Sequence, residues 1–289
     1  MIDSHCHLDF DDFDADRNDI LKQCAALGMS RILIPGVDLH RIPKLLSLRK
    51  QSQQSQQSQQ SQQSQQSQQS QQSQDSYPAI DIALGLHPYF LGGDIDESLS
   101  QLSNVVSQHK KSIVAIGETG LDRASSAPGN ADNISNAWDK QLQAFEGHIA
   151  LAKAHKLPLI VHHRQSHNDI IRLLKRAKFE YGGVLHAFSG SEQVAKQYLD
   201  LGFCLGIGGT ITYERAKKTR DTVKKLPLTS MLLETDAPDM PISGRQGQRN
   251  SPVYLNDVVT HLAELHRVEE AAVSEITTQN YLKFFPLAQ

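Results

Sequence analysis

Histidines and carboxylates fall in short clusters along this chain. His5-Cys6-His7 stands near its start, and Gly117-Glu118, His162-His163-Arg164, His186 and Glu234-Thr235-Asp236 follow far apart. Nitrogen and oxygen donors without thiolate suit Zn²⁺, Mn²⁺, Co²⁺ or Ni²⁺, and Mg²⁺ less well, because imidazole is a poor ligand for it. Alternate side chains of an extended segment share a face. His5 and His7 therefore point the same way and can grip one ion, while Cys6 turns into packing. Only one of His162 and His163 can face that side, and alternation does not say which. A carboxylate directly after a buried apolar run, as at Glu118, is expensive to desolvate unless it is paired or bound to metal. Four histidines and two carboxylates exceed what one open catalytic ion needs. Two ions ~3.5–4 Å apart, bridged by a carboxylate, would account for the surplus.

Such residues act together only if the fold gathers them. Short apolar runs predict strands at Met1–Ser4, Arg31–Pro35, Ala79–Leu84, Ser112–Gly117, Leu157–His162, Gly183–Ala187, Phe203–Gly206 and Met231–Thr235. Runs such as Ile32-Leu33-Ile34 and Leu159-Ile160-Val161 read as strands buried on both faces of a parallel sheet. Helical patterns lie between them, over Asp14–Ala26, Ile42–Lys50, Glu97–His109, Ala137–His155, His167–Ala177, Glu192–Leu201 and Glu214–Lys225. Pro252–His266 and Glu269–Phe284 close the chain. Eight such units predict an α/β fold, a (β/α)8 TIM barrel, whose strand tips converge on one cup. A doubly wound open sheet would call for a Gly-rich phosphate loop after the first strand, and the sequence has none there.

One segment stands outside this pattern. Ser52–Gln72 is seven Ser-Gln-Gln triplets, and the polar stretch spans 51–76. With no apolar residue to bury, it is expected to be a disordered insertion in a single barrel domain over 1–289. Its place between the second helix and the third strand puts it on the face opposite the cup.

Composition excludes other classes. The net charge is -3, which argues against binding nucleic acid by bulk positive charge. No apolar run is long enough to span a membrane. Three cysteines make no disulfide framework and point to a reducing compartment. The start lacks the basic and apolar regions of a secretory signal, so a cytoplasmic protein is expected.

His5-Cys6-His7-Leu8-Asp9-Phe10, Gly85-Leu86-His87-Pro88, Gly117-Glu118-Thr119-Gly120-Leu121-Asp122, His162-His163-Arg164, His186-Ala187-Phe188-Ser189-Gly190 and Glu234-Thr235-Asp236-Ala237-Pro238 together resemble the TatD family of metal-dependent hydrolases. Gly208-Gly209-Thr210-Ile211-Thr212-Tyr213 and Asp239-Met240-Pro241 look most like its YjjV branch. The resemblance covers the chain apart from the Ser-Gln-Gln tract. It implies an amidohydrolase-like barrel with two divalent cations that hydrolyses DNA phosphodiesters. By the same resemblance the ligands are His5, His7, Glu118, His162, His186 and Asp236, with Glu118 as the bridge. Thr119 and Ala187 depart slightly from the family pattern.

A site of this kind lowers the pKa of a metal-held water so that hydroxide attacks near neutral pH. Asp236 is the expected proton acceptor, with Glu118 beside it. Arg164 is a candidate clamp on a phosphate oxygen or a structural ion pair. His87 is a candidate for phosphate or leaving-group contact, or for packing. Arg215, Lys217, Lys218, Arg220, Lys224, Lys225, Arg245 and Arg249 could meet a nucleic-acid backbone or simply be solvated. The sparse aromatics argue for a chain end or a small phosphodiester over a long tracked strand. The competing reading keeps the enzyme and changes the bond, to an ester or amide such as an aminoacyl-tRNA ester. A non-catalytic metal-binding protein is a third, disfavoured by the intact ligand set. No obligate protein partner is indicated.

Overall fold

The computed structural model describes residues 1–63, 77–124 and 131–286. Eight strands lie in sequence order, each parallel to the next. They are β1 (Ile2–Asp3), β2 (Arg31–Pro35), β3 (Ala79–Leu84), β4 (Ala115–Asp122), β5 (Leu159–Arg164), β6 (Gly183–Leu185), β7 (Phe203–Ile207) and β8 (Met231–Leu233). The ring is drawn together between β8 and β1 by backbone hydrogen bonds: Ser4 N–H donates to Leu233 O, Asp236 N–H to His5 O and His7 N–H to Ala237 O, each at 2.8 Å. This is a (β/α)8 barrel, as the alternation of apolar runs and helical patterns predicts.

The helices are α1 (Arg17–Ala26), α2 (Ile42–Gln63), α3 (Ile95–His109), α4 (Ala131–His155), α5 (His167–Arg176), α6 (Glu192–Asp200), α7 (Lys217–Lys225), α8 (Leu255–His266) and α9 (Glu270–Phe284). Side chains sort by alternation into two cores. Ile2, Leu33, Ala83, Ala115, Ile160, Val184, Cys204 and Leu232 fill the barrel interior, where Tyr281 and Phe285 from the C-terminal segment join them. Their neighbours, such as Ile32, Ile34, Ile116 and Leu159, pack outward in the larger core with the helices. At the bottom of the barrel, Asp81 accepts from Arg31 Nη1 and from Tyr281 Oη, both at 2.7 Å.

The polar insertion needs a correction. It is not irregular from Gln51: α2 runs on to Gln63. Glutamine is a good helix former, and a started helix propagates more easily than it nucleates. Tertiary contact also holds the first triplet. Ser52 is buried, its hydroxyl accepting from Ile80 N at 3.0 Å and donating to Pro78 O at 3.3 Å. These partners lie at the start of β3, away from the strand tips. Residues 64–76 of the insertion lie outside the described residues.

One irregularity decides where the chemistry goes. Ala115 faces the barrel interior and Ile116 the helices, so strict alternation would turn Glu118 outward with Ile116. The pairing of β4 with β5 shifts between Ile116 and Thr119. Past that shift Glu118 faces inward, and Asp122 with it. Glycine makes the shift possible. Gly117 and Gly120 have φ of +147° and +149°, and a Cβ would lie 2.6 Å from Ile160 O and 2.0 Å from His162 O respectively.

Candidate metal centre

The strand tips converge on Glu118. Its side chain is buried, and its two oxygens face different partners. Oε2 lies 3.2 Å from His5 Nε2 and 3.4 Å from His7 Nε2. Oε1 lies 2.9 Å from His186 Nε2, 3.2 Å from His162 Nδ1 and 3.3 Å from His87 Nε2. Asp236 completes the first group, with Oδ1 at 3.5 Å from His5 Nε2 and 3.6 Å from His7 Nε2. Its backbone takes a left-handed turn, φ +57°, just past β8.

For two of the rings, hydrogen bonds at the far side fix which nitrogen is free. His162 turns Nε2 to Asp122 Oδ2 at 3.3 Å. That partner favours the proton on Nε2 and leaves the Nδ1 lone pair toward Glu118. His186 turns Nε2 to the centre; its Nδ1 has no hydrogen-bond partner among the described residues, with Glu234 Oε1 3.8 Å away. Glu234 itself is seated by the Ala187 N–H, which donates to Oε1 at 2.5 Å. His87 is different. Its Nδ1 accepts from Tyr89 N at 3.1 Å, so a neutral ring carries its proton on Nε2 and presents a donor to Glu118.

Electrostatics follow from this crowding. Burial alone would raise the Glu118 carboxyl, but His186, His87 and His5 around it hold it well below the usual carboxylate range. Burial opposes charge on His186, yet Glu118, Asp236 and Glu234 raise it to about 10. Burial raises Asp236, with His186 and His7 pulling the other way. Burial drives His5 well below the usual imidazole range, helped by the neighbouring His186.

The donor set fits divalent cations. Glu118 Oε2 is buried without a hydrogen-bond partner among the described residues, although two imidazole nitrogens stand within 3.4 Å of it. A buried carboxylate oxygen left without a partner beside two imidazole nitrogens is what a cation would satisfy. Ligating atoms of His5, His7 and Glu118 lie within 4.8 Å of one another, as do those of His5, His186 and Asp236 and those of His87, Glu118 and His162.

The centre opens into a cavity of about 350 Å³ whose lining includes His7, Phe10, His87, Tyr89, Phe90 and Asp239. Arg164 is not brought here. It is exposed at the end of β5 and is not among the lining residues. Cys6 is buried, in the outer core, and burial pushes its thiol far up. His163 also points away and stacks on His167, with ring centroids 4.2 Å apart. Arg249 is bound to Asp16 of the segment before α1. Sequence reasoning assigned no role to Asp122 or Glu234. Asp122 was within reach of it, since Glu118, Gly120 and Asp122 alternate onto one face.

The TatD-related DNase family model matches residues 2–286. The chain is 36% identical to the uncharacterised metal-dependent hydrolase YjjV of Escherichia coli K12, over 99% of this chain and 97% of that protein. It is 30% identical to the uncharacterised metal-dependent hydrolase YabD of Bacillus subtilis, over 99% and 98%. The crystal structure of E. coli YjjV superposes with a TM-score of 0.82 at 35% identity, covering 99% of this chain and 97% of that one. A TatD-family hydrolase from Entamoeba histolytica shares the fold, with a TM-score of 0.79 at 19% identity over 99% and 97%. With its motifs set at the tips of a (β/α)8 barrel, this metal-dependent hydrolase belongs to the TatD-related DNase family.

Proposed function

We propose that this protein is a divalent-metal-dependent phosphodiesterase that cleaves DNA. The observation that carries the proposal is the division of Glu118, one oxygen toward His5 and His7 and the other toward His162 and His186. His5, His7, Asp236 and Glu118 Oε2 would hold one cation. His162 Nδ1, His186 Nε2 and Glu118 Oε1 would hold the second. The pair would supply Lewis acidity to the phosphoryl oxygen and a lowered pKa to a bound water.

The remaining work falls to side chains. Asp236 stands at the rim of the centre with part of its carboxylate exposed, and burial has raised its affinity for a proton. It accepts the proton of the attacking water. His87, protonated on Nε2, donates to a non-bridging or leaving oxygen. Asp122 holds the His162 ring in the needed orientation. The cavity is at the small end of ligand pockets, about 300–1,000 Å³, which fits one nucleotide unit better than a length of strand.

The experiment is a substrate panel on metal-loaded protein: single-stranded and duplex DNA, a small phosphodiester, a carboxylic ester and an aminoacyl ester. Phosphodiester turnover well above carboxylic-ester turnover supports the proposal. Turnover of the aminoacyl or carboxylic ester alone would replace it with an esterase.

A further inference from the structure

Among the described residues, six large apolar side chains are exposed, and Tyr89 (68%) and Phe90 (45%) are the aromatic ones. Isolated exposed apolar residues are ordinary. These two are adjacent, and both line the cavity that contains Glu118 and Asp236. Their rings meet edge to face, with centroids 5.6 Å apart and an interplanar angle of 73°.

The turn that carries them is held firmly. Pro88–Phe90 form one 3₁₀ turn, opened by a buried proline. Phe90 N–H donates to His87 O at 3.0 Å, and His87 N–H donates to Val37 O at 2.9 Å. Tyr89 N–H donates to His87 Nδ1. The ring that faces Glu118 therefore also sets the backbone of the aromatic pair. Behind it, buried His148 of α4 accepts from Leu86 N at 2.9 Å. Two flat apolar surfaces are thus fixed two and three residues from a group in contact with the centre, at the edge where a substrate enters.

A planar, aromatic, weakly polar group next to a phosphate is a nucleobase. Aromatic side chains stack on any base, so such a contact binds without choosing sequence. From this juxtaposition we infer that Tyr89 and Phe90 form a base-stacking step for the nucleotide next to the scissile phosphate. The inference rests on the phosphodiesterase reading and adds a substrate preference to it: base-bearing phosphodiesters over those without a base.

The test compares two short single-stranded oligodeoxynucleotides, one normal and one with a tetrahydrofuran abasic unit at the terminal position where cleavage occurs. The wild-type enzyme should prefer the base-bearing substrate by about 10- to 100-fold in kcat/KM. In the Tyr89→Ala/Phe90→Ala double variant that ratio should fall to near one. Phe90→Tyr, which keeps a flat ring, should retain most of it. A wild-type ratio near one, or a ratio that the double variant leaves unchanged, overturns the inference while the phosphodiesterase reading stands. If the metal-loaded enzyme cleaves no phosphodiester, that reading falls and binding decides. Calorimetry should then give thymidine monophosphate at least about 10-fold tighter binding than deoxyribose 5-phosphate, lost in the double variant. Equal affinities would overturn the stacking step.

Discussion

Nε2 of His162 lies 3.3 Å from Oδ2 of Asp122, and this turns the other ring nitrogen toward Glu118. Partners of this kind typically tune metal affinity 10- to 100-fold. Asp122→Ala should weaken one of two cations by about that factor and leave the other nearly unchanged. Competition with a chromophoric chelator reads both affinities. Equal weakening of both, or of neither, would remove Asp122 from this role.

Asp236→Asn keeps the shape of the side chain and removes its ability to take a proton. On protein with both cations bound, kcat should fall by about 10²–10⁴, and substrate affinity should stay within about tenfold. Near wild-type kcat would make Asp236 a ligand only.

Ser52 ties the polar insertion to the barrel. Ser52→Ala leaves the buried Ile80 N–H without its partner, at a cost of about 1–3 kcal/mol. Ser55, half-buried, whose hydroxyl donates to Gln51 O one turn back, is the control. Ser55→Ala should change stability by less than about 0.5 kcal/mol. Urea midpoints at constant m decide this. Turnover of the metal-loaded Ser52→Ala protein should match the wild type, because Ser52 is at the end of the barrel away from the centre.

The barrel was legible because its strands are apolar runs at regular intervals, and β2 and β3 fall at the predicted limits. The donor residues were legible because each cluster ends a run. Four things were not. The turn of Glu118 into the barrel depends on a shift of register after Ile116, which no alternation rule contains. Arg164 shares the alternation of His162 two residues before it, yet it stands exposed at the end of β5 and does not line the cavity. The helical start of the Ser-Gln-Gln tract depends on a niche for Ser52 formed by Pro78 and Ile80, residues that follow the tract. The aromatic rim was hidden in a low overall aromatic content, since it is the placement of Tyr89 and Phe90 that matters.

His148 is fully buried, with Nδ1 donating to Ala144 O at 2.6 Å and Nε2 accepting from Leu86 N at 2.9 Å. The bond from Leu86 requires the neutral ring, and burial pushes His148 down to about 4, although the bond to Ala144 O favours the proton. The unfolded chain therefore binds more protons between about pH 6.5 and 4. The contribution of His148 to stability is full above that window and is lost as pH falls through it. The difference in unfolding free energy between wild type and His148→Gln should move against the wild type by up to about 3 kcal/mol on acidification. A difference that is flat with pH would show that His148 does not titrate this way.

The central claim is that two cations share Glu118 and that hydrolysis needs both. Metal-free protein should be titrated with Mn²⁺ or Zn²⁺ while bound metal and phosphodiester turnover are followed together. The account predicts two equivalents bound, turnover that rises with the second and disappears in excess chelator, and a single equivalent in Glu118→Gln. Full turnover with one equivalent, or with metal shown to be absent, would contradict it.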